Sequence, residues 1–389
     1  LSFKIINGIR FSLLHSYSND NWFGYDHGFK YNPDGRAGSY KKTHYTAFQL
    51  NHMISQNLFY EMKFSYVDNY FGNYVFKDST DIGYVHDRYY ESYGSGFLTG
   101  GQSKDHTTRK MIDQTVKLDA TWQANHSHSF KTGIHYFGHN LNNRWHAIRN
   151  KYYNTASDSI YEPVVFGDTS AYADVYEVSP QEYAFYLQDK MEFDNMVINL
   201  GARYDLFDPK SEYPSDRRNP GNQLFFIGDG IWNEGEDWID SNGNGVWDWT
   251  DSNGDSLVDE GESEEWTDIS DKMSTYPDAP VIEQVSPRIG FAYQLGNQAV
   301  LHFSYGHFFQ MPPMYAMYQN HSFLVDPSDF VTRMGNTLLQ PEKTVTYEIG
   351  LWQELNRNIS LDVALFYRDI YNLLTTKTLS TYNQVKYGL

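Results

Sequence analysis

The sequence predicts an all-β protein, a partial transmembrane antiparallel β-barrel with short turns at one end and long loops at the other. Three observations lead there. Apolar and polar residues alternate with period two over long runs, and the connections between those runs alternate short and long. Aromatic residues make up 17% of the chain, with 33 Tyr, 25 Phe and 9 Trp. Period-two alternation puts successive side chains on opposite faces of a strand. A barrel wall needs such a split between a lipid face and a polar lumen, and its interfaces carry aromatic girdles.

The stretch Ser286 to Phe309 shows the pattern best. Ile289, Phe291, Tyr293 and Leu295 share one face of its first arm, opposite Gly290, Ala292 and Gln294. After a Gly296-Asn297 turn, Ala299, Leu301, Phe303, Tyr305 and Phe309 share a face opposite Val300, His302, Ser304 and Gly306. Half of a soluble sandwich would alternate in the same way, so this hairpin alone decides nothing.

Taken in order, Ile5 to Tyr17 is a first strand, followed by a Gly/Asn/Asp/Tyr-rich stretch from Ser18 to Lys42. His44 to Ile54 and Leu58 to Tyr70 pair across Ser55-Gln56-Asn57, and a polar loop runs from Phe71 to Thr108. Met111 to Trp122 pairs with Ser129 to Leu141 across a short His/Asn turn, and a loop runs from Asn142 to Val178. Gln181 to Phe193 pairs with Met196 to Phe207 across Asp194-Asn195, before a very long insertion, Asp208 to Gln284. Beyond the Ser286–Phe309 hairpin comes a loop from Gln310 to Gln340. Thr344 to Glu354 then pairs with Ile359 to Tyr371 across Leu355 to Asn358, and a twelfth strand begins near Tyr382.

Strict short–long alternation separates a membrane barrel from a sandwich, whose loop lengths scatter over both ends. Runs longer than the usual five or six residues point the same way. The later pair keeps the split, with Val345, Tyr347, Ile349 and Leu351 against Thr344, Thr346, Glu348 and Gly350. The charges Glu348, Asp362 and Arg368 fall on its polar face. Single-chain bacterial barrels close with an even number of strands. Eleven complete runs are therefore read as about half of a larger barrel. A start at Leu1 without Met or signal-peptide features, and an end at Tyr387-Gly388-Leu389 on a running strand, fit a piece of a longer protein.

Other classes fall away. No apolar run approaches the roughly 18 residues of a membrane helix. Cysteine is absent, which removes disulfides and thiolate metal sites. A formal charge of -19 argues against nucleic acid as a partner.

Two passages carry a family resemblance. One is Ser286-Pro287-Arg288-Ile289-Gly290-Phe291 leading to Tyr305-Gly306-His307-Phe308-Phe309-Gln310-Met311-Pro312-Pro313. The other is Leu339-Gln340-Pro341-Glu342-Lys343-Thr344 leading to Tyr347-Glu348-Ile349-Gly350-Leu351. Over Ser286 to Tyr371 the chain resembles the TonB-dependent outer-membrane receptors. The resemblance implies a barrel of about 22 strands closed from inside by an N-terminal plug. It also implies a location in the outer membrane of a Gram-negative-type bacterium, embedded in outer-membrane lipid. The function it implies is active import of a nutrient ligand, with energy reaching the receptor from the TonB complex through an N-terminal region that this sequence lacks. A surface lipoprotein over the loops is a further candidate partner.

The 208–284 insertion concentrates charge. Between Asp229 and Asp271 stand fifteen Asp or Glu and no Lys or Arg. Calcium loops supply oxygens from positions 1, 3, 5, 7, 9 and 12, with Gly at position 6 for a sharp turn. Here those positions are Asp240, Asn242, Asn244, the Val246 carbonyl, Asp248 and Asp251, with Gly245 at the turn. A second loop starts at Asp251 and continues through Asn253, Asp255, the Leu257 carbonyl, Asp259 and Glu262. The first has Asp for the bidentate Glu; the second has Ser256 for the Gly. Hard oxygen donors without Cys or His select Ca2+ over soft metals. A solvated acidic tract is the competing reading, opposed by Trp232, Trp238, Trp247, Trp249 and Trp266. A structural Ca2+ role over residues 237–262 is expected, with the cations neutralising clustered carboxylates and stiffening the loop.

Lesser candidates have bland counterparts. Met311, Met314 and Met317 suit a thioether site for copper(I), but packing of a helical turn over the barrel mouth is the preferred reading. His126 and His128 sit in a short turn, and His135 and His139 lie too far apart along one strand to share a metal unaided. Tyr93-Gly94-Ser95-Gly96 lacks the strand–turn–helix setting of a nucleophile elbow, so no enzyme is expected. Tyr152, Tyr153, Tyr172, Tyr315, Tyr318 and Asn320 suit either ligand stacking or loop packing. Besides a TonB-dependent importer, the sequence leaves open a passive porin or surface-adhesion barrel, and a secreted soluble β-protein with calcium repeats.

Overall fold

A computed structural model describes residues 2–90, 92–93, 96–153, 155–168, 170, 172–213, 239–241, 243, 245–250, 277–320 and 333–379. The chain divides into two compact units, Leu1–Ser211 with Ala279–Thr376, and Glu212–Asp278 with Lys377–Leu389. Each is described by itself.

The first unit is built on an antiparallel sheet of thirteen strands, with two small two-stranded sheets, Ser92–Tyr93 with Phe97–Leu98 and Arg149–Asn150 with Pro163–Val164, in its loops. The large sheet begins with β1 (Ser2–Ile6), β2 (Ile9–Trp22), β3 (Gly38–Ser55), β4 (Leu58–Tyr74), β5 (Asp105–Gln123), β6 (His128–Ala147) and β7 (Ala173–Val178). The sheet continues with β8 (Gln181–Phe193), β9 (Met196–Asp208), β10 (Ile282–Leu295), β11 (Ala299–Gln310), β12 (Glu342–Asn356) and β13 (Ile359–Tyr371). Each strand pairs with its sequence neighbours, except that β7 and β8 both pair with β6. Among the described residues β1 and β13 do not pair with each other, so the barrel wall is open. Within a membrane every backbone donor and acceptor must find an internal partner, and continuous ladders of this kind supply them.

Short and long connections alternate throughout, as the sequence predicts. Residues 7–8, 56–57, 124–127, 194–195, 296–298 and 357–358 turn at one end; residues 23–37, 75–104, 148–172, 209–281 and 311–341 loop at the other. Register confirms the two faces. Leu200, Ile289, Tyr305, Tyr347 and Tyr367 stand in one row across β9 to β13, and Ile198, Phe291, Phe303, Ile349 and Leu365 in the next. Many of these remain exposed, Ile349 at 48% and Leu365 at 69%. Such apolar rows face lipid. Tyr305 and Tyr347 rings lie 5.0 Å apart and those of Tyr347 and Tyr367 6.2 Å, forming part of an aromatic girdle.

Three expectations need correction. Ile5 to Tyr17 is not one strand: an Asn7-Gly8 turn, with Gly8 at φ +92, splits it into a hairpin of β1 and β2. Only Gly adopts that conformation without strain, and Asn-Gly is the strongest short hairpin signal. Residues 142–178 are not all loop. β6 runs on to Ala147, and β7 pairs with Leu141–His146 in the same register that β8 keeps with His128–Gly138. β7 and β8 are thus one wall strand interrupted at Pro180, whose ring removes a donor while its carbonyl still accepts from His139 N–H at 3.0 Å. Lastly, His128 belongs to β6 rather than to the turn, and its Nδ1 lies 2.8 Å from Asp189 Oδ2.

Strand lengths are uneven. β3 to β6 run 17–20 residues, whereas β8 to β13 run 12–15. About 9–11 residues cross a membrane. The longer strands therefore project beyond the bilayer and carry their loops outward. The region expected for a twelfth strand near Tyr382 lies outside the described residues.

In the second unit, Glu212 and Asp278 form an isolated antiparallel bridge and Tyr213 N–H donates to Pro277 O at 3.0 Å. That bridge draws the two ends of the long insertion together.

Candidate functional site

After β11 the chain meets Pro312-Pro313, which cannot extend a ladder. It turns onto the polar face of the wall and forms one helical turn, α1 (Met314–Tyr318). Register places Leu141, Tyr176, Val178, Phe207 and Ile282 on the same face as Ser286 and Arg288. These residues make an apolar island in an otherwise polar lumen wall, and Met317 and Tyr318 pack into it with 1% and 0% exposure. Met311 and Met314 pack against the same cluster. The preferred reading of the methionines as packing over the barrel mouth holds.

This cap is fastened at several points. Tyr318 OH donates to Pro209 O at 2.9 Å, and Asn320 N–H donates to Asp174 Oδ1 at 2.9 Å. The returning chain donates Asn336 N–H to Ala316 O at 2.9 Å and Gly335 N–H to Gln319 O at 2.7 Å. A Cβ on Gly335 would lie 2.7 Å from the Met317 carbonyl group, so only Gly fits there. Burial, helped by the charges of Asp208 and Glu182, holds the Tyr318 phenol above its ordinary pKa.

Beneath the cap is a cavity of about 520 Å³, roofed by Met311, Pro312 and Met314 and floored by Arg203, Ser286 and Arg288. Arg288 also borders a second hollow of about 360 Å³ farther down the wall, shared with Ser304, Glu348 and Arg368. Glycines at 201 and 306 flank Arg288 in the ladder and leave room for it. Arg203 Nε donates to Asp205 Oδ1 at 2.8 Å. The Ser286 Oγ is buried, its residue 2% exposed, and has no hydrogen-bond partner among the described residues.

The lumen histidines are paired separately. His139 Nδ1 lies 2.6 Å from Asp113 Oδ1, with Glu182 Oε1 3.6 Å from its Nε2. His135 Nε2 lies 2.9 Å from Asp119 Oδ1, which also accepts from Tyr186 OH at 2.6 Å. Each imidazole thus has its own carboxylate, and the two do not converge. Among the described residues no cluster of three or more His, Cys, Asp or Glu is arranged to hold a metal ion.

Loop aromatics mostly serve the loops. Tyr152 OH donates to Glu162 Oε2 at 3.1 Å, and the Arg149 guanidinium lies 5.0 Å from the Tyr153 ring and 4.5 Å from that of Tyr172. Tyr318 and Asn320 belong to the cap. Tyr315 remains 55% exposed.

Of the acidic-loop positions, Asp240, Val246 and Asp248 are described; Asn242, Asn244, Asp251, Asn253, Asp255, Leu257, Asp259 and Glu262 lie outside the described residues. Asp240 Oδ1 accepts from Gly243 N–H at 2.6 Å and its Oδ2 from Gly245 N–H at 2.8 Å. Both glycines are left-handed, at φ +74 and +75. A turn that closes on its first carboxylate is what a calcium loop requires of its glycine at position 6. Gly94 and Ser95 also lie outside the described residues. Sequence reasoning does not single out Arg203, Ser286 and Arg288 as a group. Their common parity on the polar face is the available signal.

Residues 6–388 match the profile of the TonB dependent receptor-like β-barrel, and the chain belongs to that family. Its members lie in the outer membrane of Gram-negative bacteria, which fixes the lipid around the apolar rows and the outward direction of the long loops. Among solved structures, the outer membrane transporter YddB from Escherichia coli aligns with 94% of this chain at 13% identity and a TM-score of 0.55. The hemophore receptor HasR of Serratia marcescens, solved with its hemophore HasA and heme, aligns with 95% at 12% identity and 0.52. The copper transporter OprC aligns with 95% at 10% identity and 0.51. At such identities the likeness concerns the fold. The chain spans 38–44% of the length of these three structures. No curated protein sequence matches the chain.

Proposed function

We propose that the protein to which this wall belongs is an outer-membrane receptor that imports a nutrient ligand at the expense of TonB-delivered energy. The observation that carries the reading furthest is the cap. An apolar island on the lumen wall, covered by a segment of a long loop, supports a receptor that holds its ligand above a narrowed passage. Family membership over residues 6–388 supports the same reading. The test is uptake by cells expressing the full-length protein, with and without a functional TonB system. Uptake that persists undiminished without TonB would assign a passive porin instead.

The second element of the proposal is a calcium-stabilised extracellular loop. Asp240 is held by two left-handed glycines as a calcium loop holds its first ligand, and the surrounding sequence supplies oxygen donors at the required spacing. The ion's part is structural: it offsets repulsion among the fifteen carboxylates between Asp229 and Asp271.

A further inference from the structure

We propose that the cavity beneath the Met311–Met314 segment binds an organic anion, its oxyanion held by Arg288 and Ser286 and its apolar body lying under the cap. The inference rests on the receptor reading above and names the ligand class for it.

Two arginines line the cavity, Arg203 and Arg288. Arg203 is neutralised by Asp205 at 2.8 Å. Arg288 forms no ion pair among the described residues; its guanidinium stacks 5.1 Å from the Phe308 ring, which occupies a face and leaves the N–H edge available. A ring contact of this kind holds a cation in place without satisfying its in-plane donors. Two residues away on the same face, Ser286 presents a buried hydroxyl with no partner among the described residues. Buried polar groups in native proteins are nearly always bonded, so an orphan hydroxyl beside an unpaired guanidinium marks a place for an acceptor. The rest of the lining includes the apolar Phe137, Met311, Pro312 and Met314, together with Glu182, whose carboxylate lies 3.6 Å from His139 Nε2. A volume of about 520 Å³ lies within the usual range for small-molecule sites. An acceptor with negative charge at one end and hydrocarbon at the other fits both halves. A sugar would leave the guanidinium uncompensated and the methionines without an apolar partner.

The test uses the full-length protein in detergent and two isosteric probes, 4-phenylbutyrate and 4-phenylbutyramide, followed by ligand-detected NMR. The carboxylate is expected to bind at least about tenfold more tightly than the amide, the ratio equivalent to one charge-assisted hydrogen bond. Arg288→Gln is expected to abolish that difference, and Ser286→Ala to reduce it while binding persists. Equal affinity for the two probes, no binding of either, or an undiminished preference in Arg288→Gln would overturn the proposal. So would a marked fall in the melting temperature of ligand-free Arg288→Gln, because the guanidinium would then be holding another part of the same protein. Binding is read without energised transport, so loss of TonB-dependent uptake with binding intact would count against the importer reading alone.

Discussion

At the scale of single residues, the side chains with the greatest consequence are those that fasten inward-folded or outward-reaching segments. Tyr318→Phe removes the donor to Pro209 O in a fully buried setting, at a cost of about 1–3 kcal/mol. Faster hydrogen exchange at Met314–Tyr318 is expected with the melting temperature of the wall unchanged; identical exchange would show that the bond does not hold the cap. In the loop at residues 148–172, Lys151 Nζ lies 2.6 Å from Glu162 Oε1, and this bond, with a second from Tyr152, pulls the Glu162 pKa below its ordinary value. A depressed carboxylate stabilises the fold above the ordinary Glu range of about 4.3, and that contribution is lost as pH falls through the lower folded-state value. Exchange protection in this loop should therefore decline on acidification below about pH 4, the ordinary Glu range. Glu162→Gln should remove the pH dependence; a loop indifferent to both would refute the linkage.

At the scale of elements, the wall rests on alternation. Phe303 faces lipid between Phe291 and Ile349, while Ser304 faces the lumen one residue on. Phe303→Arg should cost about 2–4 kcal/mol, the usual penalty for a cation near mid-membrane, and Ser304→Arg far less. Comparing the folded fractions of the two variants in lipid vesicles checks this, and equal losses would mean the faces are misassigned. The strand interrupted at Pro180 shows why alternation is only a partial guide. Ser179, Pro180 and the amides of Asn142 and Asn143 read as loop, yet the ladder continues because β6 supplies partners on both sides of the break. The Asn7-Gly8 turn is legible in the sequence, but the apolar residues on either side mask it.

At the scale of the molecule, wall and insertion are separate compact units with different chemistry. Chelation is expected to expose Asp229–Asp271 to proteases while leaving the melting transition of the barrel in place. Equal cutting with and without chelator would remove calcium from the account. The lumen adds a second division, since its apolar island is satisfied by α1 and its polar cavities lie just beneath.

By itself the sequence determined the fold class, the two faces of each long strand, and the short and long ends, because these follow from local periodicity and spacing; the family followed from the motifs around Ser286–Phe291 and Pro341–Leu351. The acidic loop and its ligand spacing were likewise local. Only the tertiary structure decided that Met311–Tyr318 folds onto the lumen wall and that Ser286 and Arg288 line a cavity beneath it. It also gave each lumen histidine its own carboxylate. Those facts depend on which residues of distant strands come opposite one another, and register across a sheet is a property of the assembled ladder rather than of any one strand.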